Sequence, residues 1–356
     1  MALARESAHA LGLPHFSLSE EARFAERVVA PFVSGYEAGE TPNPCVACNP
    51  DRLGRLVQLA NRLGLGYVAT GHYARIVTRD GRPYRVRDDE NGLENGSENG
   101  SASTSGAAAA AAHGRPEPFV ARGRDRAKDQ SYMLWRVPPE TLARLLLPLG
   151  ELRKDEVRAR AARAALPAAG RAESQEVCFA PGDYRGFLAA RGARAEEGVI
   201  VTRDGVVVGT HRGQWRYTIG QRRGLGVAGE RPLYVLERRP GTNEVVVGGR
   251  EELETVAVDL RELLDRGLAT AGGRRLVDGE EVGAEAGLRV QLRYKAGAIG
   301  VRRLRRLAAD RARLTLAKPF AGVAPGQSAV FYRDDVVVGG GIIVAPARRE
   351  DVPSSA

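Results

Sequence analysis

The stretch RLGRLVQLANRLGLGYVATGHYA, residues 52–74, decides the fold class of the first half of the chain. Its first part places apolar side chains at the spacing of an amphipathic helix. The run that follows, residues 67–74, is compact and apolar, is stopped by Gly71, and predicts a short buried strand. A helix followed by a short buried strand is typical of a parallel α/β sheet. We therefore expect an α/β domain in this half.

The flanking residues extend this prediction. Residues 1–40 are expected to be mostly helical, with a short strand at LGLPHFSL, residues 11–18. Met1 enters the first helix directly, with no strand and no phosphate-binding loop ahead of it. Residues 139–164 predict two helices that are separated near Pro148.

A low-complexity insert, residues 86–118, interrupts this domain. It is rich in Asn, Gly, Ser and Ala, and it cannot bury enough surface to offset the entropy of ordering. We therefore expect a disordered loop. It is expected to join RPYRVR, residues 82–87, to PFVARG, residues 118–123, as a hairpin with an expanded tip.

Beyond Cys178 the pattern changes to strands. Apolar and polar residues alternate between Gly-rich turns, as in GVIVTRDGVVVGTHRG, residues 198–213. This alternation predicts antiparallel β-structure. We expect an α/β domain over residues 1–180, a small central domain over 181–250 and a β-barrel over 251–350.

The composition limits the class of protein. The chain has 356 residues, 43% of them hydrophobic, which is enough for two or three domains with substantial cores. Its net charge of +9 is compatible with a polyanionic partner, but also with an Arg-rich enzyme that binds no nucleic acid. The sequence contains neither a long apolar run nor a signal peptide, so we expect a cytoplasmic protein. Its three cysteines then indicate reactive thiols or a metal site rather than a disulfide framework.

Two of these cysteines lie in TPNPCVACN, residues 41–49, and the third lies in SQEVCF, residues 174–179. A structural zinc site would need a second ligand pair, which the sequence does not offer. A thioredoxin-like redox pair would open a helix, whereas Pro42, Pro44 and Pro50 predict a rigid turn. Buried structural cysteines fit such a polar turn less well. Two distant thiols held by loops suit sulfur transfer, in which one cysteine carries a persulfide and the other attacks it.

Several other motifs are suggestive but weak when taken singly. ATGHYAR, residues 69–75, and AKDQSYML, residues 127–134, each place polar groups beside an apolar element. In YTIGQRRGLG, residues 217–226, two arginines between glycines have a shape that lets guanidinium groups approach phosphates. Each motif also fits a solvated surface or a structural hydrogen bond. The basic positions of interest are Arg222, Arg223, Arg302, Arg303, Arg305 and Arg306.

Together these strings resemble the tRNA-specific 2-thiouridylases. TPNPCVACN, ATGHYAR, KDQSYMLWRV, SQEVCFAPGDY, YTIGQRRGLG, LRY and PGQSAVFY occur in the order found in that family, over about residues 5–345. The resemblance implies an N-terminal α/β domain of the ATP-pyrophosphatase, or adenine-nucleotide alpha-hydrolase-like, type. It also implies a small central tRNA-binding domain and a C-terminal antiparallel β-barrel. The implied reaction is ATP-dependent transfer of persulfide sulfur to C2 of the wobble uridine of tRNA.

The same resemblance implies roles for individual residues. Cys178 would carry the persulfide, and Cys48 would be the catalytic thiol that closes a transient disulfide with it. Cys45 would be an accessory residue beside the target base, and Gly71 would contact ATP. The residues expected to contact tRNA are Asn43, Pro44, Cys45, His72, Lys128, Asp129, Gln130, Arg293, Tyr294 and Gln327.

The implied cofactors and partners are few. ATP, with Mg²⁺, is expected as the energy source, and neither a permanently bound cofactor nor a metal site is expected. The expected partners are the tRNA anticodon arm and a sulfur-donor protein, either a cysteine desulfurase or a sulfur-relay protein. No membrane partner is expected.

The sequence departs from the family pattern at two places. The ATP loop SGGxDS, which follows the family's first strand, is absent, and Met1 aligns beyond it. We expect an N-terminally truncated sequence, and the alternative is a catalytically impaired tRNA-binding homologue that lacks ATP chemistry. The segment NPDRLGRL after Cys48 is also one residue shorter than the family pattern, and the lysine expected there is either replaced by Arg52 or lost.

Overall fold

The computed structural model describes residues 2–84, 116–167, 169–170, 177–180, 182–227, 231–269 and 273–348. The low-complexity insert predicted at 86–118 therefore lies almost wholly outside the described residues. Within the described ranges, no helix combines the length and the apolar character needed to cross a membrane.

Most of the described α-helices lie in the first half of the chain. A π-helical turn, Ala25–Val29, joins the second and third into one continuous helix. Single 3₁₀ turns occur at Gln214–Arg216, Glu251–Leu253 and Ala284–Ala286. The α-helices are α1 (Ala2–Ala10), α2 (Glu21–Phe24), α3 (Ala30–Glu37), α4 (Pro44–Arg62), α5 (Ser131–Leu134), α6 (Pro139–Leu142), α7 (Lys154–Arg163) and α8 (Tyr184–Ala190).

The strands dominate the second half. They are β1 (Val68–Ala69), β2 (Ala74–Val77), β3 (Phe119–Arg122), β4 (Leu145–Leu146), β5 (Glu197–Thr202), β6 (Val207–Arg212), β7 (Tyr234–Arg239), β8 (Glu244–Gly248), β9 (Glu254–Asp265), β10 (Glu281–Gly283), β11 (Arg289–Gln291), β12 (Ile299–Ala308), β13 (Arg311–Ala321), β14 (Ser328–Arg333) and β15 (Val336–Arg348).

The N-terminal domain contains a short parallel pair of strands. β1 runs parallel to β4, with Val68 opposite Leu145. The amphipathic helix α4 packs on this pair through Leu53, which is fully buried. The α/β character predicted from residues 52–74 is thus confirmed.

Three local predictions in this domain are wrong. LGLPHFSL, residues 11–18, is not a strand but an irregular segment, and its Phe16 is 80% exposed. Pro14 within it has no N–H to give to a neighbouring strand. The strand predicted over residues 67–74 ends at Ala69, and the chain turns before β2 begins. The first helix predicted in 139–164 is only α6, because Leu145 and Leu146 form β4 instead.

The predicted hairpin exists, but with a different first strand. β3 pairs antiparallel with β2, from Ala74 opposite Arg122 to Val77 opposite Phe119. The described part of the expected partner, residues 82–84, contributes only a bridge from Pro83 to Val77. The residues after Gly71 supply the paired strand because their apolar side chains bury against the C-terminal barrel.

The C-terminal part is antiparallel β-structure, as expected, whereas the central sheet is mixed and the prediction of a purely antiparallel sheet is wrong there. The central sheet has the order β6-β5-β8-β7, in which only the β5–β8 pair is parallel. The C-terminal barrel follows the order β14-β11-β12-β13-β9-β15, and pairing of β14 with β15 closes it. The β2–β3 hairpin extends this sheet where Ala121 lies opposite Val336.

The N-terminal domain and the barrel share one core. Trp135 is buried between them, and its indole N–H donates to Oγ of Ser328 at 3.1 Å. The Tyr132 hydroxyl donates to the carbonyl oxygen of Ser328 at 2.9 Å. A methyl group at Gly340 would lie 2.5 Å from Cε3 of Trp135, so only glycine fits there. This packing fixes the barrel against the helices that carry the candidate site.

Candidate active site

Helix α4 begins inside the cysteine motif rather than after it. Asn43 is the N-cap, and its Oδ1 accepts a hydrogen bond from the N–H of Cys45 at 3.1 Å. Pro44 occupies the first helical position, where an N–H would have no partner in any case. The rigid turn predicted from the prolines is therefore wrong. Cys45 and Cys48 lie in the first turns of a helix, as a redox pair would.

One face of α4 forms the wall of a cavity of about 220 Å³. Residues three and four apart share a helix face, so Cys45, Cys48, Asn49 and Arg52 all line this cavity. Cys178, which lies outside α4, also lines it, and all three cysteines are free thiols. The complete lining is Phe24, Val28, Pro44, Cys45, Cys48, Asn49, Arg52, His72, Gln130, Met133, Val177, Cys178 and Phe179.

The Cys178 wall is anchored by aromatic packing. Phe179, the next residue, places its ring 5.3 Å from the ring of Phe32 in an edge-to-face contact. Phe179 also lies 5.1 Å from Phe187 on α8, ring centre to ring centre. The segment around Cys178 is thus tied to α3 and to α8. Cys178, for which the sequence predicts a loop, is therefore held in a defined place by the packing of its neighbour Phe179.

Among the described residues that line the cavity, none is a strong activator of the thiols. Desolvation by the surrounding protein raises the pKa of Cys48, the positive charge of Arg52 opposes this, and Cys178 adds to the increase. Desolvation likewise raises the pKa of Cys45, and Cys178 and Cys48 add to it. Both thiols of α4 are therefore mostly protonated at neutral pH. A thiolate must be generated at the moment of reaction.

Arg52 links α4, the helix that carries Cys45 and Cys48, to the turn Gly71–His72–Tyr73 after β1 (the GHY turn). Its Nη2 donates to Oδ1 of Asn49 at 3.1 Å and lies 3.3 Å from Nε2 of His72. An arginine can only donate, so Nε2 of His72 accepts and its Nδ1–H donates to Oγ1 of Thr70 at 2.8 Å. Burial first, and the charge of Arg52 second, lower the pKa of His72 to about 4. His72 is therefore a neutral imidazole with both nitrogens engaged.

Asn49 and Met133 are cavity residues that the sequence reasoning missed. Asn49 is 4% exposed, and its Nδ2 donates to the carbonyl oxygen of Met133 at 3.0 Å. The sulfur of Met133 accepts from Nδ2 of Asn43 at 3.3 Å. The helical spacing of Cys45, Asn49 and Arg52 is the signal that could have found this face, but it becomes visible only once the motif is recognised as helical.

Lys128, Asp129 and Gln130 differ in their burial and in their hydrogen-bond partners. Asp129 is almost fully buried, and its carboxylate accepts from Arg122 at 2.9 Å and from the N–H groups of Gly123 and Ser131. Gln130 lines the cavity while its Oε1 accepts from the N–H of Tyr73 at 2.9 Å. Lys128 is half-buried at the start of this turn. Asp129 and Gln130 thus use their carboxylate and amide oxygens for hydrogen bonds within the protein. Through its bond to Tyr73, Gln130 holds the segment Gly71–His72–Tyr73 in place.

The predicted RNA-contacting residues of the barrel differ in whether their side chains are exposed or directed inward. Arg293 is exposed, and the Tyr294 ring lies 6.2 Å from the Tyr132 ring, at the edge of the shared core. Gln327 is directed inward, where its side-chain amide donates to the carbonyl oxygen of Thr41, two residues before the N-cap of α4. Arg293 is thus accessible to a partner in this conformation, whereas the amide donor of Gln327 is already used.

The two arginine clusters predicted from the sequence differ in whether their charges are paired with carboxylates. Arg222 and Arg223 are exposed and have no hydrogen-bond or ion-pair partner for their guanidinium groups among the described residues. In the barrel, Arg306 is paired with Asp265 at 3.4 Å and with Asp278 at 2.8 Å. The second cluster is therefore partly neutralised by neighbouring carboxylates.

The described residues form neither a metal site nor a phosphate cradle. They contain no group of three or more His, Cys, Asp or Glu side chains arranged to hold a metal ion. Gly71 is exposed in the turn after β1, and a methyl group there would contact Leu149. Across the described ranges, no Gly/Ser-rich loop joins a strand to a helix, so these residues do not by themselves fit a nucleotide triphosphate.

Comparison with protein-family models accounts for most of the chain. Residues 1–182 match a model described as the tRNA methyl transferase HUP domain. Residues 185–249 match the tRNA methyl transferase PRC-barrel domain, and residues 272–343 match the aminomethyltransferase beta-barrel domain. The order of α/β domain, small central domain and C-terminal barrel agrees with the fold.

Three curated relatives are similar along almost the whole chain. A tRNA-specific 2-thiouridylase MnmA of Sorangium cellulosum is 40% identical, over 98% of this chain and 80% of its own length. Another, of Desulforudis audaxviator, is 42% identical, over 95% of this chain and 86% of its own length. A bifunctional protein NifU/MnmA of Rubrobacter xylanophilus is 42% identical over 98% of this chain, which spans 60% of that longer protein. The chain therefore belongs to the MnmA family of tRNA-specific 2-thiouridylases.

Proposed function

We propose that this protein is a tRNA-uridine 2-sulfurtransferase that places sulfur on C2 of the wobble uridine. The observation that carries the proposal is that Cys48 and Cys178, which are far apart in the sequence, line one cavity. Relatives named as tRNA-specific 2-thiouridylases, together with the thiols, favour sulfur transfer over the methyl transfer named in the domain descriptions.

The sulfur chemistry balances with these two residues. Cys178 carries the persulfide, and the Cys48 thiolate attacks its Sγ. The persulfide bond breaks, its terminal sulfur leaves with the bonding electrons as hydrosulfide, and a Cys48–Cys178 disulfide forms. The hydrosulfide replaces the C2 oxygen of the base. A thiol reductant returns the disulfide to two thiols and completes the cycle.

The cavity supports this step through burial and one cation. Because desolvation raises the pKa of Cys48, its thiol is mostly protonated at neutral pH, and it must lose its proton when it attacks the persulfide. Arg52 is the cationic side chain of the lining and favours the thiolate over the thiol. His72 stays neutral and orients Arg52, because its Nε2 accepts from that guanidinium.

ATP belongs in this scheme as a second substrate, since the family is ATP-dependent. It would supply the adenylyl group that turns the C2 oxygen into a leaving group, with release of pyrophosphate, and the hydrosulfide would then displace that oxygen as AMP. Gly71 is the described residue proposed to border it, and Mg²⁺ is expected with its phosphates.

The RNA-facing part of the proposal concerns the anticodon arm. Arg293, Tyr294 and Lys128 are proposed to contact the arm, with the target base splayed into the cavity beside Pro44 and Cys45. Asp129 and Gln130 are proposed to act from within, by shaping the turn that presents Lys128. Asn43, His72 and Gln327 complete the set of positions proposed to border the RNA.

We also propose a sulfur-donor protein partner and a cytoplasmic location. A relative that joins NifU and MnmA in one chain supports a protein partner for this kind of domain. A cysteine desulfurase or a sulfur-relay protein is the chemical class that can load a persulfide on Cys178. Exposure of Cys178 leaves its thiol open to such a donor.

The test is thiolation of a tRNA transcript by the full chain with ATP, Mg²⁺, cysteine and a cysteine desulfurase. 2-Thiouridine is measured by mass spectrometry after nuclease digestion. The parent chain should form it, and Cys178→Ser should abolish it while tRNA binding persists. Binding without thiolation by the parent would favour a tRNA-binding homologue without catalysis, and normal thiolation by Cys178→Ser would refute the persulfide role.

A further inference from the structure

The linker between α3 and α4, residues 38–43, connects the two walls of the thiol cavity. On one side, α3 carries Phe32, whose ring contacts Phe179 beside Cys178. On the other side, α4 carries Cys48. The linker is therefore one of the connections that hold one wall against the other. The Arg23–Asp51 and Glu20–Arg55 ion pairs, which join the start of the continuous α2–α3 helix directly to α4, are others.

The barrel holds this linker from one direction. Arg261 on β9 makes a two-pronged ion pair with Glu40, with Nη1–Oε1 at 2.6 Å and Nη2–Oε2 at 3.0 Å. The N–H of Thr41 donates to the carbonyl oxygen of Pro325 at 2.7 Å. Gln327 donates to the carbonyl oxygen of Thr41. Both the side chain and the backbone of the linker are thus bound to barrel residues.

The central domain holds the linker from the other direction. Arg238 on β7 is 6% exposed, and its Nη2 donates to the carbonyl oxygen of Glu40 at 2.6 Å and to Oγ1 of Thr41 at 3.2 Å. Its guanidinium lies 5.3 Å from the centre of the Tyr36 ring. Nε and Nη1 of Arg238 have no hydrogen-bond partner among the described residues. A buried cation with incomplete hydrogen bonding is unfavourable for stability, which points to a role in positioning.

We propose that Glu40, Arg261 and Arg238 are positioning residues that set the approach of Cys48 to Cys178. Through them the barrel and the central domain, which lie outside the cavity, control the geometry of the sulfur-transfer step. The inference rests on the thiol pairing of the proposed function. It assigns to both β-domains a part in thiol chemistry in addition to RNA binding.

The experiment measures the effective concentration of the two thiols in the full chain, without ATP or tRNA. A Cys45→Ser background leaves only Cys48 and Cys178. In glutathione redox buffers, one oxidised glutathione and the two thiols give one protein disulfide and two reduced glutathiones, so the equilibrium constant reports how well the thiols are held together. Mass spectrometry of the acid-quenched protein gives the ratio of the two forms.

Glu40→Gln should lower this constant at least about fivefold, the lower end of the range for coupled sites. Arg261→Gln should lower it similarly, and the double variant no further, because both changes remove the Glu40–Arg261 pair and the other contact of Arg261, with Glu262, is to its neighbour on β9. The kcat for tRNA thiolation should fall with the constant while KM stays near that of the parent, because the thiols rather than the RNA contacts are displaced.

Asp259→Asn is the matched control. It removes a two-pronged pair with Arg313, at 2.7 and 2.8 Å, on the same strand as Arg261 but away from the linker. It should leave the constant unchanged. Equal constants for Glu40→Gln and its parent would overturn the positioning role. If the parent forms no Cys48–Cys178 disulfide, the thiol pairing beneath the proposed function is refuted instead.

Discussion

Replacing His72 tests the buried chain of hydrogen bonds that ties the GHY turn to the thiol helix. The pKa of His72 is lowered from an ordinary value of 6.5 to about 4, with burial as the larger cause and Arg52 as the smaller. The folded state therefore resists protonation that the unfolded chain accepts. Stability from this group is present above pH 6.5, and it is lost as the pH falls toward 4.

The size of the effect follows from the two pKa values. A depression of that size corresponds to a total of roughly 3 kcal/mol, and about 2 kcal/mol of this is lost between pH 7 and pH 5. His72→Asn keeps a polar side chain there but cannot titrate. The variant is expected to be less stable than the parent at pH 7, and to lose about 2 kcal/mol less than the parent on acidification to pH 5.

Urea denaturation at the two pH values, followed by tryptophan fluorescence, measures this difference. Trp135 reports on the core shared by the N-terminal domain and the barrel. All other titrating groups are common to both proteins, so their contributions cancel in the comparison. An identical loss of stability in parent and variant would show that the folded state does not lower the pKa of His72, and the account of the Arg52–His72 contact would then be wrong.

Three further predictions concern the thiols and the shared core. Cys48→Ser should abolish 2-thiouridine formation in the thiolation assay, whereas Cys45→Ser should only reduce it; the reverse order would mean that their roles are exchanged. With Cys45→Ser and Cys178→Ser in the background, iodoacetamide should alkylate Cys48 half-maximally at a higher pH than free cysteine, and a lower midpoint would contradict the desolvated cavity. Gly340→Ala should lower the free energy of unfolding in urea by about 1–3 kcal/mol, because the added methyl group overpacks against Trp135. Gly54→Ala, where the added methyl group on α4 has no neighbour within 4 Å, should raise it by up to about 1 kcal/mol. Equal effects of the two changes would refute the packing argument.

The sequence pattern predicted the architecture well where periodicity is strong. The helix and strand of residues 52–74 and the alternating strands after Cys178 were recognisable because each has one buried face. The start of α4 was missed because Pro44 resembles a turn residue, although the first position of a helix tolerates proline. LGLPHFSL was misjudged because apolar character alone does not supply a neighbouring strand to pair with.

The candidate site was predictable only in part. The resemblance named Cys48 and Cys178, but spacing could not show that both line one cavity, since they are brought together by the packing of Phe179 on Phe32. The internal hydrogen bonds of Asp129 and Gln327 were also invisible in the sequence. Both polar side chains are directed inward by tertiary contacts that no local pattern encodes.

The core around Trp135 has a consequence for the order in which the protein is made. Trp135 packs on Gly340 in β15, and its indole binds Ser328 in β14. Helix α4 is translated early, but the core on which it packs is completed by strands near the end of the chain. We therefore expect the organised thiol cavity to form late in synthesis, after β15 has left the ribosome. Partial chains would carry the cysteines without the geometry that makes them a pair.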